Sequence, residues 1–100
     1  MRALTDDVRE EISTMVIRCY ANDCDVKPEE ICKETKIQEE LGSDSLLLIS
    51  LLEEATQNYG LEISLSNIGK YINRRPLYTI NDVIDTFCKI YKYGNDILKL

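Results

Sequence analysis

Ser45 is the residue whose type and position point most clearly to chemistry. Residues 41–46 read Leu-Gly-Ser-Asp-Ser-Leu and lead directly into an amphipathic pattern. A helix begins with unpaired backbone N–H groups and a dipole that favours negative charge, so a serine at that point is a suitable place to attach a phosphate. The chain has no histidine, and so no histidine general base can turn this serine into a nucleophile. The sequence therefore favours a modified serine over a catalytic one.

Size, charge and cysteine content limit the classes of protein that fit. One hundred residues predict a single domain over 1–100. A formal net charge of -6 disfavours binding to nucleic acid or anionic lipid and suits partners with basic patches. No apolar run is long enough for a membrane span or a signal peptide, so we expect a cytoplasmic protein with reduced thiols and no membrane insertion. Without histidine or a Cys-x-x-Cys pair, we expect no metal site.

Hydrophobic periodicity predicts four helices. Their expected ranges are 5–21, 45–59, 66–73 and 79–93. Thr5 is the expected N-cap of the first helix, and Thr79 with Asp82 resembles a capping box at the start of the last. Ser66 or Asn67 is the expected cap of the third helix. The predicted fold is all-α, a small irregular four-helix bundle with three longer helices and one short helix.

The segments between these helices carry weaker signals. Residues 23–43 form an unusually long first connection, in which scattered apolar residues are the expected anchors. Those anchors are Val26, Ile31, Ile37 and Leu41. Asn22 and Asp23 are expected to end the first helix, and the tail beyond Gly94 is expected to fray. Residues 61–65 alternate like a strand, but because no second strand is available we interpret them as an extended connector.

Four patches in order resemble the acyl carrier protein family. Residues 41–46 are similar to the family signature Leu-Gly-x-Asp-Ser-Leu. Residues 26–31 resemble the start of the family's long first loop, residues 59–63 the end of its second helix, and residues 79–84 the start of its last helix. The resemblance implies an acyl-carrier-protein-like bundle whose first loop is ordered.

The resemblance also implies a function. In the family the signature serine, here Ser45, carries a 4′-phosphopantetheine arm that a phosphopantetheinyl transferase attaches from coenzyme A. Asp44 is then placed to position a metal or a basic group of the modifying enzyme. The protein would carry acyl intermediates as thioesters for enzymes of fatty-acid, polyketide or a specialised acyl or aminoacyl pathway. It would act as a monomer and catalyse nothing itself.

Two further sets of residues are candidates for binding. For partner enzymes with basic patches, the expected contacts are Leu46, Leu47, Glu53 and Glu54. For an apolar cargo, the expected groove residues are Leu48, Ile49, Leu52, Ala55, Ile63, Ile68, Ile72 and Ile84. Leu47 and Ser50 stand where fatty-acid carriers usually place acids, which indicates a specialised pathway.

Several alternatives remain open. A D-alanyl carrier fits the same pattern, whereas peptidyl carriers usually show Gly-Gly-x-Ser in place of the sequence at 42–45. A carrier-like structural subunit would keep the fold without modification of Ser45. A calcium sensor is excluded, because the nearest candidate loop, from Asp23, has Pro28 where a glycine is required.

Overall fold

The structure, a computed structural model, describes residues 2–43 and 45–99, and of Ser45 it describes the backbone alone. These residues are all-α, as the sequence predicts, and form no strand of a sheet. The four helices are α1 (Asp6–Cys24), α2 (Ser45–Tyr59), α3 (Leu65–Arg74) and α4 (Ile80–Tyr93). Shorter turns are a 3₁₀ turn at Pro28–Glu30, a π-type turn at Ile37–Leu41 and a 3₁₀ segment at Gly94–Lys99.

Helix α1 begins where the sequence predicts and ends later. The Thr5 hydroxyl caps it by accepting a hydrogen bond from the Val8 amide. The prediction that Asn22 and Asp23 end the helix is wrong, because α1 continues to Cys24. Asp25 then closes it in the left-handed conformation with a φ of 55°, which aspartate tolerates better than most residues.

The core forms where α1 packs against α4 and α2. Its most deeply buried side chains include Ile12, Val16, Leu51, Ile80, Val83 and Phe87. At the edge of the α1–α4 contact, both terminal nitrogens of Arg9 donate to one carboxylate oxygen of Asp85, at 3.1 and 3.2 Å. Because both side chains are about two-fifths exposed, this ion pair contributes little compared with the apolar contacts.

The long first loop is ordered by the anchors that the sequence predicts. Ile31 and Ile37 are buried, while Val26 and Leu41 pack half-buried against the core. The Ile37 amide donates to the carbonyl of Tyr78, just before α4. The loop is therefore attached to a distant part of the chain, and this attachment determines where residues 41–45 lie.

Two predictions in the C-terminal half are wrong. Ser64, not Ser66 or Asn67, caps α3 by accepting from the Asn67 amide, so this helix begins earlier than predicted. The tail does not fray over its described part, because Ile97 is only 1% exposed and holds the Gly94–Lys99 turn against α3 and α4. The capping box of Thr79 and Asp82 is confirmed.

Within residues 2–43 and 45–99, no helix combines the length and apolar character needed to cross a bilayer.

Candidate functional site at the start of the second helix

The backbone around Ser45 turns sharply and then enters a helix. Gly42 has a φ of +62°, and its N–H closes the preceding turn on the Gln38 carbonyl at 3.1 Å. No atom outside its immediate chain neighbours lies within 4 Å of the position that a Cβ on Gly42 would take, so the turn borders open space. Ser45 is the first residue of α2, whose first turn carries no acid. Asp44, the other candidate at this site, lies outside the described residues.

The first turns of α2 expose an apolar patch, Leu46 and Ile49. Leu46 is 69% exposed and Ile49 44% exposed, and their spacing of three places them on the same face of the helix. Two sequence predictions are wrong here. Leu47, expected on the partner-facing surface, is only 8% exposed, because its position in the helix directs it into the core. Ile49, expected in the groove, faces outward instead.

The two candidate acids on α2 have different surroundings. Glu53 is exposed, whereas Glu54 is half-buried and accepts a hydrogen bond of 2.5 Å from Arg18 of α1. Burial raises the pKa of the nearby Cys19 thiol, and the Glu54 carboxylate adds to the rise. The pair of Arg18 and Glu54 joins the two helices. Of the two acids, Glu53 is therefore the one that is available to a partner.

A cavity of about 170 Å³, here called the loop cavity, lies between the first loop, α2 and the end of α3. Of the eight predicted groove residues, Leu48 and Ile72 are in its lining. Four others are fully buried in the core, namely Leu52, Ala55, Ile68 and Ile84. Ile63 packs half-buried against that core.

The loop cavity is also lined by residues that the groove prediction did not include. Among these are Tyr20 from α1, Ile37 and Ser43 from the first loop, and Leu77 from the segment before α4. The sequence gives only one signal for them, the apolar anchor Ile37, since the rest meet through tertiary packing. Burial raises the pKa of Tyr20 to about 12, and Cys24 and Asp23 add to the rise. The phenol in the cavity wall is therefore neutral at physiological pH.

The comparison with known proteins agrees with this architecture. No protein-family model matches the chain. A protein of Clostridium acetobutylicum described as "Acyl carrier protein homolog" is 36% identical over 97 residues, which cover 97% of this chain and 94% of that relative. An alignment of this identity over nearly the whole length shows common ancestry and fold. The chain belongs to the acyl carrier protein family.

Family membership supports a carrier role for this protein. Acyl carrier proteins are carriers rather than enzymes, and the family in general uses a phosphopantetheine prosthetic group. Membership also suggests enzymes as partners.

Proposed function

We propose that this protein carries acyl intermediates as thioesters on a 4′-phosphopantetheine arm attached to Ser45. The observation that carries the proposal is the position of this serine, the first residue of α2 directly behind the left-handed turn at Gly42. Backbone N–H groups at a helix start favour a phosphate, and the first turn of α2 contains no carboxylate to repel one.

The attachment is a transfer from coenzyme A by a phosphopantetheinyl transferase. The pyrophosphate bond of coenzyme A breaks, a phosphodiester forms at the Ser45 hydroxyl, the adenosine half leaves, and the hydroxyl proton passes to the transferase or to water. The arm then supplies a terminal thiol that holds an acyl group as a thioester. The chain itself contributes no catalytic group to this step. Asp44, next to the serine, is proposed to position a metal or a basic group of the transferase.

The surface beside Ser45 supports partners that combine an apolar pocket with a basic rim. Leu46 and Ile49 form an exposed apolar patch, and Glu53 adds an exposed acid two turns from the start of α2. Because Glu54 is engaged by Arg18, electrostatic steering has less charge to act on at this face than the sequence suggests. The proposed partners are the transferase and enzymes that load and process the acyl group. The protein is proposed to act as a cytoplasmic monomer.

Intact-mass measurement tests the attachment. The purified protein is incubated with coenzyme A and a broad-specificity phosphopantetheinyl transferase. The wild type and the Ser50→Ala control, which removes an exposed hydroxyl from the same helix, should each gain one arm, and Ser45→Ala should gain none. Loading of Ser45→Ala would move the site elsewhere. Failure of the wild type with several transferases would leave an unmodified carrier-like subunit as the better description.

A further inference from the structure

The loop cavity has a size that limits what it can hold. Its volume is about 170 Å³, and much of its wall is apolar, including Ile37, Leu48, Ile72 and Leu77. An apolar cavity of about 150 Å³ in another protein accommodates benzene, a ring of about six carbons. The loop cavity is therefore large enough for a short acyl chain of about six carbons and too small for a long fatty-acyl chain.

Ser43 gives this apolar wall an unsatisfied polar group. Its side chain is only 8% exposed, and its Oγ is buried with no hydrogen-bond partner within the described residues. Its backbone N–H bonds the Ile37 carbonyl at 3.3 Å, which fixes the residue in the loop. A buried hydroxyl without a partner is costly, and native proteins satisfy most such groups.

The surroundings of Ser43 do not supply that partner. The thiol of Cys24 is close enough for the hydroxyl to lower its pKa slightly, although burial, the main effect, and Asp23 both raise it. The two side chains nevertheless form no hydrogen bond of ordinary geometry. Tyr20, across the cavity, contributes apolar surface to the same wall. The unsatisfied hydroxyl therefore remains available to a molecule that enters the cavity.

We propose that the loop cavity shelters a short acyl cargo that carries a hydroxyl or oxo group, and that Ser43 hydrogen-bonds this group. A serine hydroxyl donates to an oxo oxygen and accepts from a hydroxyl, so it suits either substituent. The proposal rests on the carrier function proposed above and specifies the class of cargo. Ser43 lies two residues before the attachment site, in the same turn.

The test compares cargo of different length and polarity on the same protein. The wild type is loaded by a transferase with the butyryl, hexanoyl, β-hydroxyhexanoyl and dodecanoyl derivatives of coenzyme A, and intact mass confirms each product. Melting temperature should rise from the bare arm to hexanoyl and show no further rise with dodecanoyl, since cargo bound to the folded state stabilises it only as far as it fits. The β-hydroxyhexanoyl form should melt about 4–8 °C above the hexanoyl form, as one additional hydrogen bond implies.

The variant Ser43→Ala separates the hydrogen bond from the fit of the chain. It should keep the rise with length and lose the difference between hexanoyl and β-hydroxyhexanoyl, whereas Ser50→Ala should keep both. Equal melting of the two six-carbon forms in the wild type, or an unchanged difference in Ser43→Ala, would overturn the role of Ser43. A continued rise to dodecanoyl would overturn the limit on length. A wild type that accepts no arm fails already at the mass measurement, and that result counts against the carrier function itself.

Discussion

Lys36 and Thr79 pair as an isolated antiparallel bridge, 43 residues apart along the chain. Two hydrogen bonds flank the bridge, from the Ile37 amide to the Tyr78 carbonyl at 2.9 Å and from the Ile80 amide to the Thr35 carbonyl at 3.0 Å. This short ladder joins the first loop to the start of α4. Since the loop leads within a few residues to Ser45, the bridge connects the position of the modification site to the capping of another helix.

Loss of the cap at Thr79 should therefore be costly. The Thr79 hydroxyl accepts from the Asp82 amide, and the Asp82 carboxylate accepts in return from the Thr79 amide. We expect Thr79→Ala to lower the free energy of unfolding by about 0.5–2 kcal/mol. The control Thr5→Ala removes a simpler, exposed cap from α1 and should cost less. Urea unfolding measures both, and an equal or larger loss in Thr5→Ala would contradict the importance of the capping box.

Leu46 and Leu47 offer a matched test of the partner surface. Leu46→Ala should reduce the rate of loading by a transferase at low protein concentration, with a change in unfolding free energy within about 0.5 kcal/mol. Leu47→Ala removes a side chain that is only 8% exposed and should cost about 2–5 kcal/mol of stability. Loading kinetics and chemical unfolding distinguish the two effects. Wild-type loading of Leu46→Ala would remove this residue from the proposed docking surface.

Gly94 and Gly69 should respond in opposite directions to the same substitution. Gly94 has a φ of +57°, and a Cβ there would lie 2.8 Å from the Glu62 carbonyl oxygen. Gly94→Ala should therefore destabilise the protein by more than about 1 kcal/mol. Gly69 lies in the interior of α3 with open space around its Cβ position, so Gly69→Ala should stabilise by about 0.5–1 kcal/mol. Thermal unfolding of both variants checks the signs, and a stable Gly94→Ala would show that α4 can end without this strained turn.

Tyr20 should make stability fall at high pH. Burial raises the pKa of its phenol from about 10 to about 12 in the folded protein. Between these values the unfolded chain releases the proton and the folded chain keeps it, so the unfolded state binds fewer protons and stability falls as pH rises. The contribution is fully present below pH ~10 and is lost by pH ~12, with a slope of about 1.4 kcal/mol per pH unit for this one group. Unfolding curves should show a flatter decline for Tyr20→Phe than for the wild type, and equal slopes would assign the decline to other groups.

Local features of the sequence predicted much of the fold. Apolar spacing located four helices, and the cap residues Thr5 and Thr79 stand where the structure has helix starts. Gly60, predicted as the stop after α2, has the positive φ that such a stop requires. These signals succeed because capping and turn preferences depend on a few neighbouring residues. The cap of α3 was misplaced because Ser64, Ser66 and Asn67 are all acceptable cap residues, and the choice depends on packing.

The sequence by itself determined that the chain is a helical bundle of the acyl carrier type, with Ser45 at the start of its second helix. Only the tertiary structure decided that Leu47 enters the core, that Ile49 faces outward, and that Glu54 pairs with Arg18. It also decided which residues surround the loop cavity, because Tyr20, Ser43 and Ile72 come from three segments far apart in the chain. The physical reason is that helix signals are local, whereas the direction of each side chain depends on where the neighbouring segments pack.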